Sequence, residues 1–570
     1  MSLWRHYLFL ACFSIAALAL SARVVYLGVT ERDFLQEEGD RRSVYREDLP
    51  AMRGMIYDRN GEALAVSTPV FAVAVNPQLF DTSNGQGLAQ LARALDLGPE
   101  DLKNNIINNR QRGFLYLRRH VSWETMNAVR RLRLGHVSFK PEYRRYYPAG
   151  ESVAHVVGMT NIDDLGLEGI ELAFEEQLRG EPGTKTVLRD RKGQAINDLE
   201  YGKSPRFGTD LQLSIDSRLQ YIAYRELKSA VQSHAAKSGS LIMVDAKTGE
   251  ILALVNQPSF NPNGPINQRV PTRNRVVTDT YEPGSTIKPF TAMAALETGR
   301  YQGDSQIETS PGYFWIDNKM IQDPVNLNTV SLAQAIQKSS QVAIAKVTLD
   351  LPKGTVFQVL QRSGLGEYVG TGLPGEALGR FSNVGRTSRV SRVAMAYGYG
   401  FSVTPMQLAS AYVTLASHGK RLPLSILKRT RPPETERVFD EEDAEAVVAM
   451  MEQVTERGGT AAKANIEHYR VAGKTGTARV FDQNGYNDER HVALFAGLAP
   501  VTDPRIVMVV VVNEPQQGSA SGGVVAAPIF ARVAQHSLRL LGVMPDKSPD
   551  DGGEAQLPDN LLAGRTGRGT

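Results

Sequence analysis

The segment Thr280–Gly299, TYEPGSTIKPFTAMAALETG, contains the residues that decide the fold of the larger part of the chain. A Pro-Gly turn leads into a helical pattern whose first turn holds Ser285 and Lys288, and a spacing of three places both side chains on one helix face. Pro289 has no N–H to bond to the carbonyl of Ser285, which predicts a helix beginning near Ser285. A lysine whose charged form is disfavoured by burial can act as the base that activates a serine nucleophile.

The position of Ser285 at a helix amino terminus also suits acyl transfer. The local dipole favours developing negative charge, and the N–H of Ser285 is free to bind an oxyanion. Ser425 and Lys428 have the same spacing, but a Pro-flanked, strand-like segment would point them to opposite faces. The sequence therefore favours Ser285 over Ser425 as the nucleophile.

A second polar element interrupts an apolar run in QAIQKSSQVAIAKV, residues 334–347. Ser331 and Gln334 form a capping-box pattern that predicts a helix start, and Ser339-Ser340-Gln341 follows within the helical run. Taken alone, this element would be read as a polar connection between two helices.

A third element, VAGKTGTARV at residues 471–480, alternates as a strand that lines a cleft would. It contains Lys474, Thr475, Gly476 and Thr477. Gly476 would let a substrate backbone approach closely, and Lys474 is either a solvated strand lysine or a cation that recognises a carboxylate beside two hydroxyls. A second K-T-G, ending at Gly249, occupies the expected turn of a β-hairpin, where glycine has a structural role.

Composition limits the possible classes of protein. The chain has 570 residues, enough for at least two folded units, and 42% of them are hydrophobic. Its formal net charge is only +3, which argues against an electrostatically driven nucleic-acid binder. The single cysteine, Cys12, excludes an intramolecular disulfide, a zinc site built on several cysteines and a catalytic thiol in the exported part.

The amino-terminal run from Tyr7 to Val29 is apolar except for Arg23 and is long enough to cross a membrane as a helix. With Arg5 on the short side, the positive-inside tendency predicts a cytoplasmic stub at residues 1–6 and export of everything after the span. A cleaved signal peptide remains an alternative, because small residues near Ala19 and Ala22 suit signal peptidase.

Three regions are expected outside the membrane. Residues 30–210 are predicted to form an elongated, non-catalytic pedestal or dimerisation-type module, because their polar, Arg-rich sequence is punctuated by turns. Residues 211–543 predict an α+β domain with an antiparallel sheet flanked by helices, including a hairpin in SLIMVDAKTGEILALV. Residues 544–570 are rich in Gly, Asp and Pro and are expected to be a disordered tail.

In order, S-x-x-K, S-x-Q and K-T-G-T resemble the three active-site motifs of the penicillin-binding, serine D,D-peptidase superfamily, whose second motif is S-x-N. RGMIYDRNGEALA at 53–65, RRYYPAGESVAHVVG at 144–158 and GLEGIELAFEEQLRG at 166–180 are similar to motifs of class B penicillin-binding proteins. Within that class, NRVVTDTYEPGSTIKPF and AMAYGYGFSVTPMQLASAY resemble the septal, cell-division type. The resemblance covers nearly the whole chain except the tail.

The resemblance implies a role for each motif residue. Ser285 would attack the penultimate D-Ala of a stem pentapeptide, Lys288 would be the base, and Ser339 would relay protons toward Lys474 and the leaving amine. The terminal carboxylate would be held by Lys474, Thr475 and Thr477, with Gly476 in the same binding strand. The N–H groups of Ser285 and Thr477 would form the oxyanion hole.

The family resemblance also implies the setting of the reaction. It predicts an inner-membrane protein with a periplasmic catalytic domain, inhibited by β-lactams and requiring no metal or organic cofactor. A class B enzyme has no glycan-polymerising domain, so a membrane glycosyltransferase of the SEDS type and other division proteins are the expected partners. An elongation-type role is an alternative to the septal one.

Gln341 departs from the family pattern, because S-x-N has asparagine at this position. Glutamine keeps the amide but adds a methylene, so it would reach the same partners only through a shifted backbone or rotamer. This change leaves open a weakly active paralogue or a β-lactam-binding scaffold. A hydrolytic D,D-carboxypeptidase or β-lactamase is disfavoured because no dedicated deacylating carboxylate is identified in the sequence.

Overall fold

The computed structural model describes residues 3–189, 195–265, 271–381, 388–482 and 485–547. Within these residues the chain forms two compact units. The first contains the residues up to Gly54, Ser67–Tyr146 and Glu176–Thr209, and the second contains Met55–Val66, Tyr147–Glu175 and the residues from Asp210 onward. Most of the predicted tail, from residue 548, lies outside the described residues. The domain boundaries at 30, 210 and 543 stay predictions.

The helices are numbered in chain order. They are α1 Leu3–Val29, α2 Arg32–Ser43, α3 Gly85–Ala94, α4 Pro99–Asn108, α5 Trp123–Arg131, α6 Ala154–Val157, α7 Gly169–Ala173, α8 Glu175–Leu178, α9 Ser217–Ser233, α10 Arg275–Thr278, α11 Lys288–Glu297, α12 Leu332–Lys338, α13 Gln341–Asp350, α14 Thr355–Arg362, α15 Arg389–Ala396, α16 Pro405–Ala416, α17 Glu441–Thr455, α18 Gly522–Val525 and α19 Ala527–Leu540.

The strands are numbered in the same way. They are β1 Val44–Leu49, β2 Ile56–Tyr57, β3 Ala63–Val75, β4 Leu115–Val121, β5 Val137–Tyr146, β6 Met159–Thr160, β7 Gly166–Glu168, β8 Gly183–Arg189, β9 Ala195–Lys203, β10 Leu211–Gln212, β11 Ser238–Asp245, β12 Ile251–Gln257, β13 Gln306–Glu308, β14 Tyr313–Ile316, β15 Lys319–Gln322, β16 Thr329–Ser331, β17 Lys420–Arg421, β18 Glu436–Arg437, β19 Ala472–Asp482, β20 Gly485–Ala499 and β21 Ile506–Asn513.

Helix α1 contains the predicted membrane span and begins four residues before it, at Leu3. Its 27 residues correspond to about 40 Å of helix, more than a hydrocarbon layer of about 30 Å requires. No residue of α1 is buried. The length and composition fit a membrane span, and a signal sequence near the amino terminus has the same signature.

The first unit contains an antiparallel sheet in the order β1-β8-β9 and a separate apolar core. That core is formed where β4 and the end of β3 pack with α3, α4 and α5. Val73, Leu91, Ile106 and Met126 are fully buried in it. Apolar residues at helical spacing in short helices, together with alternating strands, account for this packing.

The second unit is organised by a five-stranded antiparallel sheet in the order β12-β11-β21-β20-β19. Every residue of β11 and β12 is buried, so both faces of these strands are covered. Helices α9 and α19 pack against each other and against the sheet, and α16 packs against β11, β20 and β21. The predicted hairpin is confirmed as β11–β12, and the α+β architecture of this region is also confirmed.

The early segment Met55–Val66 joins the second unit through a buried carboxylate. Asp58 is fully buried and accepts hydrogen bonds from the N–H groups of Asn60, Glu62 and Ser217. Ser217 is the first residue of α9, so one side chain orders a turn and holds it against a helix start.

Candidate active site

The turn that holds the predicted nucleophile, Ser285, is called the nucleophile turn, and it differs in one detail from the prediction made from the sequence. Ser285 lies in a 3-10 turn, Gly284–Ile287, and the α-helix α11 begins at Lys288. Because Pro289 has no N–H to offer, the carbonyl of Ser285 accepts its bond from the N–H of Lys288 instead. Ser285 is half-buried, while Lys288 is fully buried.

Close backbone contacts fix this turn in place. Gly284 has a φ of +54° and donates its N–H to the carbonyl of Gly398 at 3.0 Å. A Cβ on Gly398 would lie 2.0 Å from the carbonyl oxygen of Gly284, and a Cβ on Gly476 would lie 2.9 Å from that of Pro283. Glycine at 398 and 476 is therefore required for the turn to reach its neighbours.

Helix α16 also holds the nucleophile turn in place. The hydroxyl of Tyr412 is buried and donates to the carbonyl of Thr286 at 2.7 Å. The hydroxyl of Thr286 in turn bonds the carbonyl of Pro283 at 2.7 Å. The backbone on both sides of Ser285 is thus held by the hydroxyl groups of Tyr412 and Thr286, neither of which belongs to the three motifs.

Two lysines converge on one serine hydroxyl. The Nζ of Lys288 lies 3.1 Å from the Oγ of Ser339 and 2.5 Å from its carbonyl oxygen. The Nζ of Lys474 lies 3.0 Å from the same Oγ. Ser339 connects the two amines and has left-handed backbone angles, φ 60° and ψ 37°, at the end of α12. This conformation turns the chain sharply between two helices.

The environment of the two lysines disfavours their charged forms. Burial lowers the pKa of Lys288 to about 7, and the negative charge of Asp323 partly opposes that decrease. Burial, and then the positive charge of Lys288, lowers the pKa of Lys474 well below its ordinary value. Lys288, three residues after Ser285 in the chain, is therefore partly neutral at neutral pH.

Strand β19 supplies the opposite wall of the site. It is the outer strand of the sheet, so part of its backbone is free to pair with an extended ligand. Its Thr475 hydroxyl is 3.4 Å from the Nζ of Lys474 and 3.2 Å from the hydroxyl of Thr460. The hydroxyl of Thr477 accepts the N–H of Gly522 at 3.2 Å.

The backbone of Thr477 lies beside the nucleophile turn. A Cβ on Gly284 would be 3.4 Å from the carbonyl oxygen of Thr477 and 3.7 Å from its nitrogen. The Tyr399 hydroxyl also donates to that oxygen, at 3.3 Å. The N–H groups of Ser285 and Thr477 therefore belong to adjacent backbone segments, as two donors to one oxyanion must.

Asp323 lies beside the predicted site residues, and no pattern in the sequence selects it. Its buried carboxylate accepts the hydroxyl of Ser340 and the N–H of Gln341, each at 2.5 Å, and the N–H of Val342 at 3.3 Å. These donors begin helix α13, immediately after Ser339. Asp323 follows a short hairpin and belongs to no recognisable motif, so only its position in the fold identifies it.

Gln341 is the first residue of α13, and its side chain is half-buried. The hydrogen bond to Asp323 uses the backbone N–H of Gln341, so it does not depend on whether this residue is glutamine or asparagine. The capping box at Ser331 and Gln334 is confirmed, with both reciprocal hydrogen bonds formed.

The two other matches to these motifs, the K-T-G that ends at Gly249 and the S-x-x-K that begins at Ser425, have structural roles. Gly249 has a φ of +69° in the turn of the β11–β12 hairpin. The hydroxyl of Ser425 bonds the carbonyl of Leu427, while the Nζ of Lys428 bonds the carbonyl of Arg59. Ser425 and Lys428 therefore have separate partners.

The described residues include one group with metal-ligand chemistry, His418, Glu441 and Glu445. His418 and Glu445 already pair at 3.0 Å, and Arg437 pairs with Glu441 at 2.9 Å. None of these residues belongs to the active-site motifs.

Comparison with known proteins bears directly on this arrangement. The penicillin-binding protein transpeptidase domain matches residues 239–535, and the penicillin-binding protein dimerisation domain matches residues 48–213. The peptidoglycan D,D-transpeptidase FtsI of Escherichia coli strain K12 is 40% identical over 548 residues, which cover 95% of this chain and 93% of that protein. This protein is a class B penicillin-binding protein.

Two further relatives support the family assignment. The probable peptidoglycan D,D-transpeptidase PbpC of Pseudomonas aeruginosa is 37% identical over 96% of this chain and 97% of its own length. The transpeptidase domain of penicillin-binding protein 3 from Burkholderia pseudomallei is 38% identical, with a TM-score of 0.55, over 59% of this chain and 98% of that domain. The predicted resemblance to class B penicillin-binding proteins is confirmed.

Proposed function

We propose that this protein is a peptidoglycan D,D-transpeptidase of septal cell-wall synthesis that works through an acyl-enzyme on Ser285 and is a target of β-lactams. The observation that carries the proposal is the shared hydroxyl of Ser339, which lies within hydrogen-bond distance of both Lys288 and Lys474. With Ser285 one helical turn from Lys288, a nucleophile, a base and a proton relay are contiguous. The name and likeness of FtsI support the septal assignment.

Acylation begins when the Oγ of Ser285 attacks the carbonyl carbon of the penultimate D-Ala. Neutral Lys288 takes the hydroxyl proton, and the N–H groups of Ser285 and Thr477 stabilise the tetrahedral oxyanion, each worth about 3 kcal/mol in comparable enzymes. The C–N bond then breaks, and the departing D-Ala nitrogen receives a proton through Ser339. The products are free D-Ala and an ester on Ser285.

Recognition of the donor falls to strand β19. Lys474 and the hydroxyls of Thr475 and Thr477 suit the terminal carboxylate of the pentapeptide. Gly476 leaves room for the donor backbone along the outer edge of the strand. The amide of Gln341, at the start of α13, is assigned to the peptide on the other side of the groove.

Deacylation is assigned to an amine from a neighbouring stem, which attacks the ester and forms the cross-link while Ser285 regains its proton. Hydrolysis would need a carboxylate or other base directed at water. The carboxylate of Asp323 lies at the start of α13, which begins two residues after Ser339, but three donors already occupy its oxygens. This arrangement favours transfer over hydrolysis.

The membrane setting is part of the proposal. Helix α1 is assigned as a single-pass anchor with residues 1–6 in the cytoplasm and the catalytic unit in the periplasm. A SEDS-type glycosyltransferase is the proposed partner, because a class B enzyme needs a separate source of glycan chains. Gln341 favours one second candidate, a weakly active paralogue that binds β-lactams.

The assignment is tested by intact-mass spectrometry after β-lactam treatment, with peptide mapping of the adduct. We expect one adduct on Ser285, lost in Ser285→Ala and unchanged in the matched control Ser425→Ala. An adduct on another serine would overturn the choice of nucleophile. Product analysis with a stem pentapeptide and an acceptor amine then separates transfer from hydrolysis and from a scaffold without turnover.

A further inference from the structure

The hairpin β14–β15 has two contrasting faces. Phe314, Ile316 and Ile321 point into an apolar cluster that includes Val342 of α13 and Tyr397. These contacts fix the hairpin on α13, which begins two residues after Ser339, and on α15. The inward face is therefore fully explained by packing.

The outward face is aromatic and open. Tyr313 is 44% exposed, Trp315 60% and Met320 44%, and Gln322 is also exposed. Trp315 lies directly across from Met320, and Tyr313 lies across from Gln322, so all four share one face. Single exposed apolar residues are ordinary, but a contiguous set on a rigid hairpin marks a binding surface.

The hairpin is tied to the active site through Asp323, the residue after Gln322, whose buried side chain lies on the inward side. The N–H of Asp323 closes the hairpin on the carbonyl of Gly312 at 2.9 Å. Its carboxylate holds the N–H of Gln341 and the hydroxyl of Ser340. The same hairpin therefore carries an exposed face and, one residue later, a carboxylate that holds the start of α13 beside Ser339.

We propose that the outward face of β14–β15 binds the sugar chain of uncross-linked peptidoglycan. Flat rings such as those of Tyr313 and Trp315 stack on the C–H face of a pyranose, and the Gln322 amide offers hydrogen bonds to hydroxyl or N-acetyl groups. The inference rests on the proposed function, since it names a second contact for the same substrate.

Charge and area both favour a sugar chain over a protein partner. The four residues are uncharged, matching an uncharged sugar backbone. The exposed Lys319 lies across from the buried Ile316 and so belongs to the other face of the hairpin, and the charges of Asp317 and Arg389 face each other at 3.7 Å. Two partly exposed aromatic side chains offer at most about 300 Å², whereas a stable protein interface buries about 800 Å² per partner.

Tryptophan fluorescence gives a direct test on the full-length protein in detergent. The chain has three tryptophans, so Trp315 can be isolated by substitution. Titration with a stem-free oligosaccharide of alternating N-acetylglucosamine and N-acetylmuramic acid, its lactyl carboxyl groups amidated so that it is uncharged, is expected to change the emission. The change should persist in Trp123→Phe and disappear in Trp315→Ala; an unchanged signal in the parent protein, or a response that survives in Trp315→Ala, would overturn the proposal.

A kinetic test separates this contact from the chemistry. In Trp315→Ala and Tyr313→Ser, we expect the KM for cross-linking of polymeric substrate to rise roughly 5- to 20-fold, the effect of losing about one stacked ring. The acylation rate by benzylpenicillin, which carries no sugar, should stay within about twofold. Tyr221→Ala, which removes a 56% exposed aromatic side chain on α9, is the matched control and should change neither value.

Equal KM values for the polymer in all variants would refute the sugar contact while leaving acylation of Ser285 intact. Loss of a co-purifying protein with unchanged polymer kinetics would assign the face to a protein partner instead. Failure of benzylpenicillin to acylate the parent protein would count against the proposed function itself.

Discussion

At the scale of single residues, the candidate active site places two buried lysine amines on one serine hydroxyl, an environment that disfavours their charged forms. Lys288 and Lys474 are completely buried, and each Nζ lies within 3.1 Å of the Oγ of Ser339. Desolvation of each amine and repulsion between them favour the loss of one proton. The hydroxyl between them can accept a proton from one amine while it donates its own to the other.

The pH dependence of acylation follows from this pair. Because the base must be neutral, we expect the β-lactam acylation rate to rise about tenfold per pH unit below a midpoint near 7 and to level off above it. Stopped-flow acylation from pH 5 to 9 measures the profile. A midpoint near 10, the ordinary value for lysine, would show that Lys288 is not the base or is not desolvated.

Asp323 contributes both position and charge. Its negative charge favours protonated Lys288, and its oxygens hold the start of α13. Asp323→Asn should therefore move the acylation midpoint to lower pH and reduce the plateau rate roughly 5- to 100-fold, the effect of about 1 to 2.7 kcal/mol from a disrupted buried hydrogen bond. A lower plateau with an unmoved midpoint would leave Asp323 a purely structural role.

Gln341 stands where the family's S-x-N motif has asparagine, and the effect of this difference on acylation can be measured. An amide displaced by one methylene misplaces a hydrogen bond worth about 1 to 3 kcal/mol. Gln341→Asn is expected to accelerate β-lactam acylation roughly 5- to 100-fold in stopped-flow measurements. Acylation at the parent rate, with Lys288→Ala and Ser339→Ala both inactive as controls, would mean that the site has adapted around glutamine.

The sequence identified the motif residues but not their support. Ser285, Lys288, Ser339 and Lys474 were found because their chemistry recurs at fixed spacing. Asp323 was not found, because a lone carboxylate beyond a hairpin has no local pattern that distinguishes it from a solvated one. Its role arises only when distant segments meet, which propensity and periodicity do not encode.

At the scale of elements, the site is assembled by close backbone approaches. The turn that contains Ser285 meets the backbone just after α15 and strand β19 at distances that side chains at Gly398 and Gly476 would prevent. Local rules predicted the hairpin β11–β12 and the capping box of α12, because turn residues and caps act within a few positions. They did not predict the 3-10 turn at Ser285, although the missing N–H of Pro289 is the reason for it.

Gly398→Ala tests whether the turn tolerates any displacement. Gly398 and Gly400 both have positive φ, 86° and 82°, so alanine at either position adds about 1 to 2 kcal/mol of backbone strain. Only at 398 would the new Cβ also meet the carbonyl of Gly284, 2.0 Å away, whereas nothing lies within 4 Å at 400. We expect Gly398→Ala to slow β-lactam acylation at least about tenfold more than Gly400→Ala. Similar rates for the two variants would show that strain alone matters.

At the scale of the whole molecule, the two compact units do not follow the order of the chain. Residues 55–66 and 147–175 precede the predicted boundary at 210 but group with the unit that carries the active site. Buried groups such as Asp58 account for this, because a desolvated carboxylate needs its donors from Asn60, Glu62 and Ser217. Turn-rich composition predicted an amino-terminal module but not which of its segments pack with the catalytic fold.

Helix α1 allows a test of whether membrane anchoring and catalysis depend on separate parts of the chain. Membrane fractionation and amino-terminal sequencing should find residues 1–29 still attached; a mature chain beginning at Leu20 or Arg23 would mean that α1 is a signal peptide. Replacing Tyr7–Val29 with an unrelated span of equal length should then reduce co-purification of the proposed SEDS-type glycosyltransferase several-fold, because helix packing in a membrane depends on specific side chains. β-Lactam acylation should stay within about twofold, since all the residues proposed as catalytic lie in the second unit. Equal loss of both would show that the anchor sequence also governs the catalytic unit.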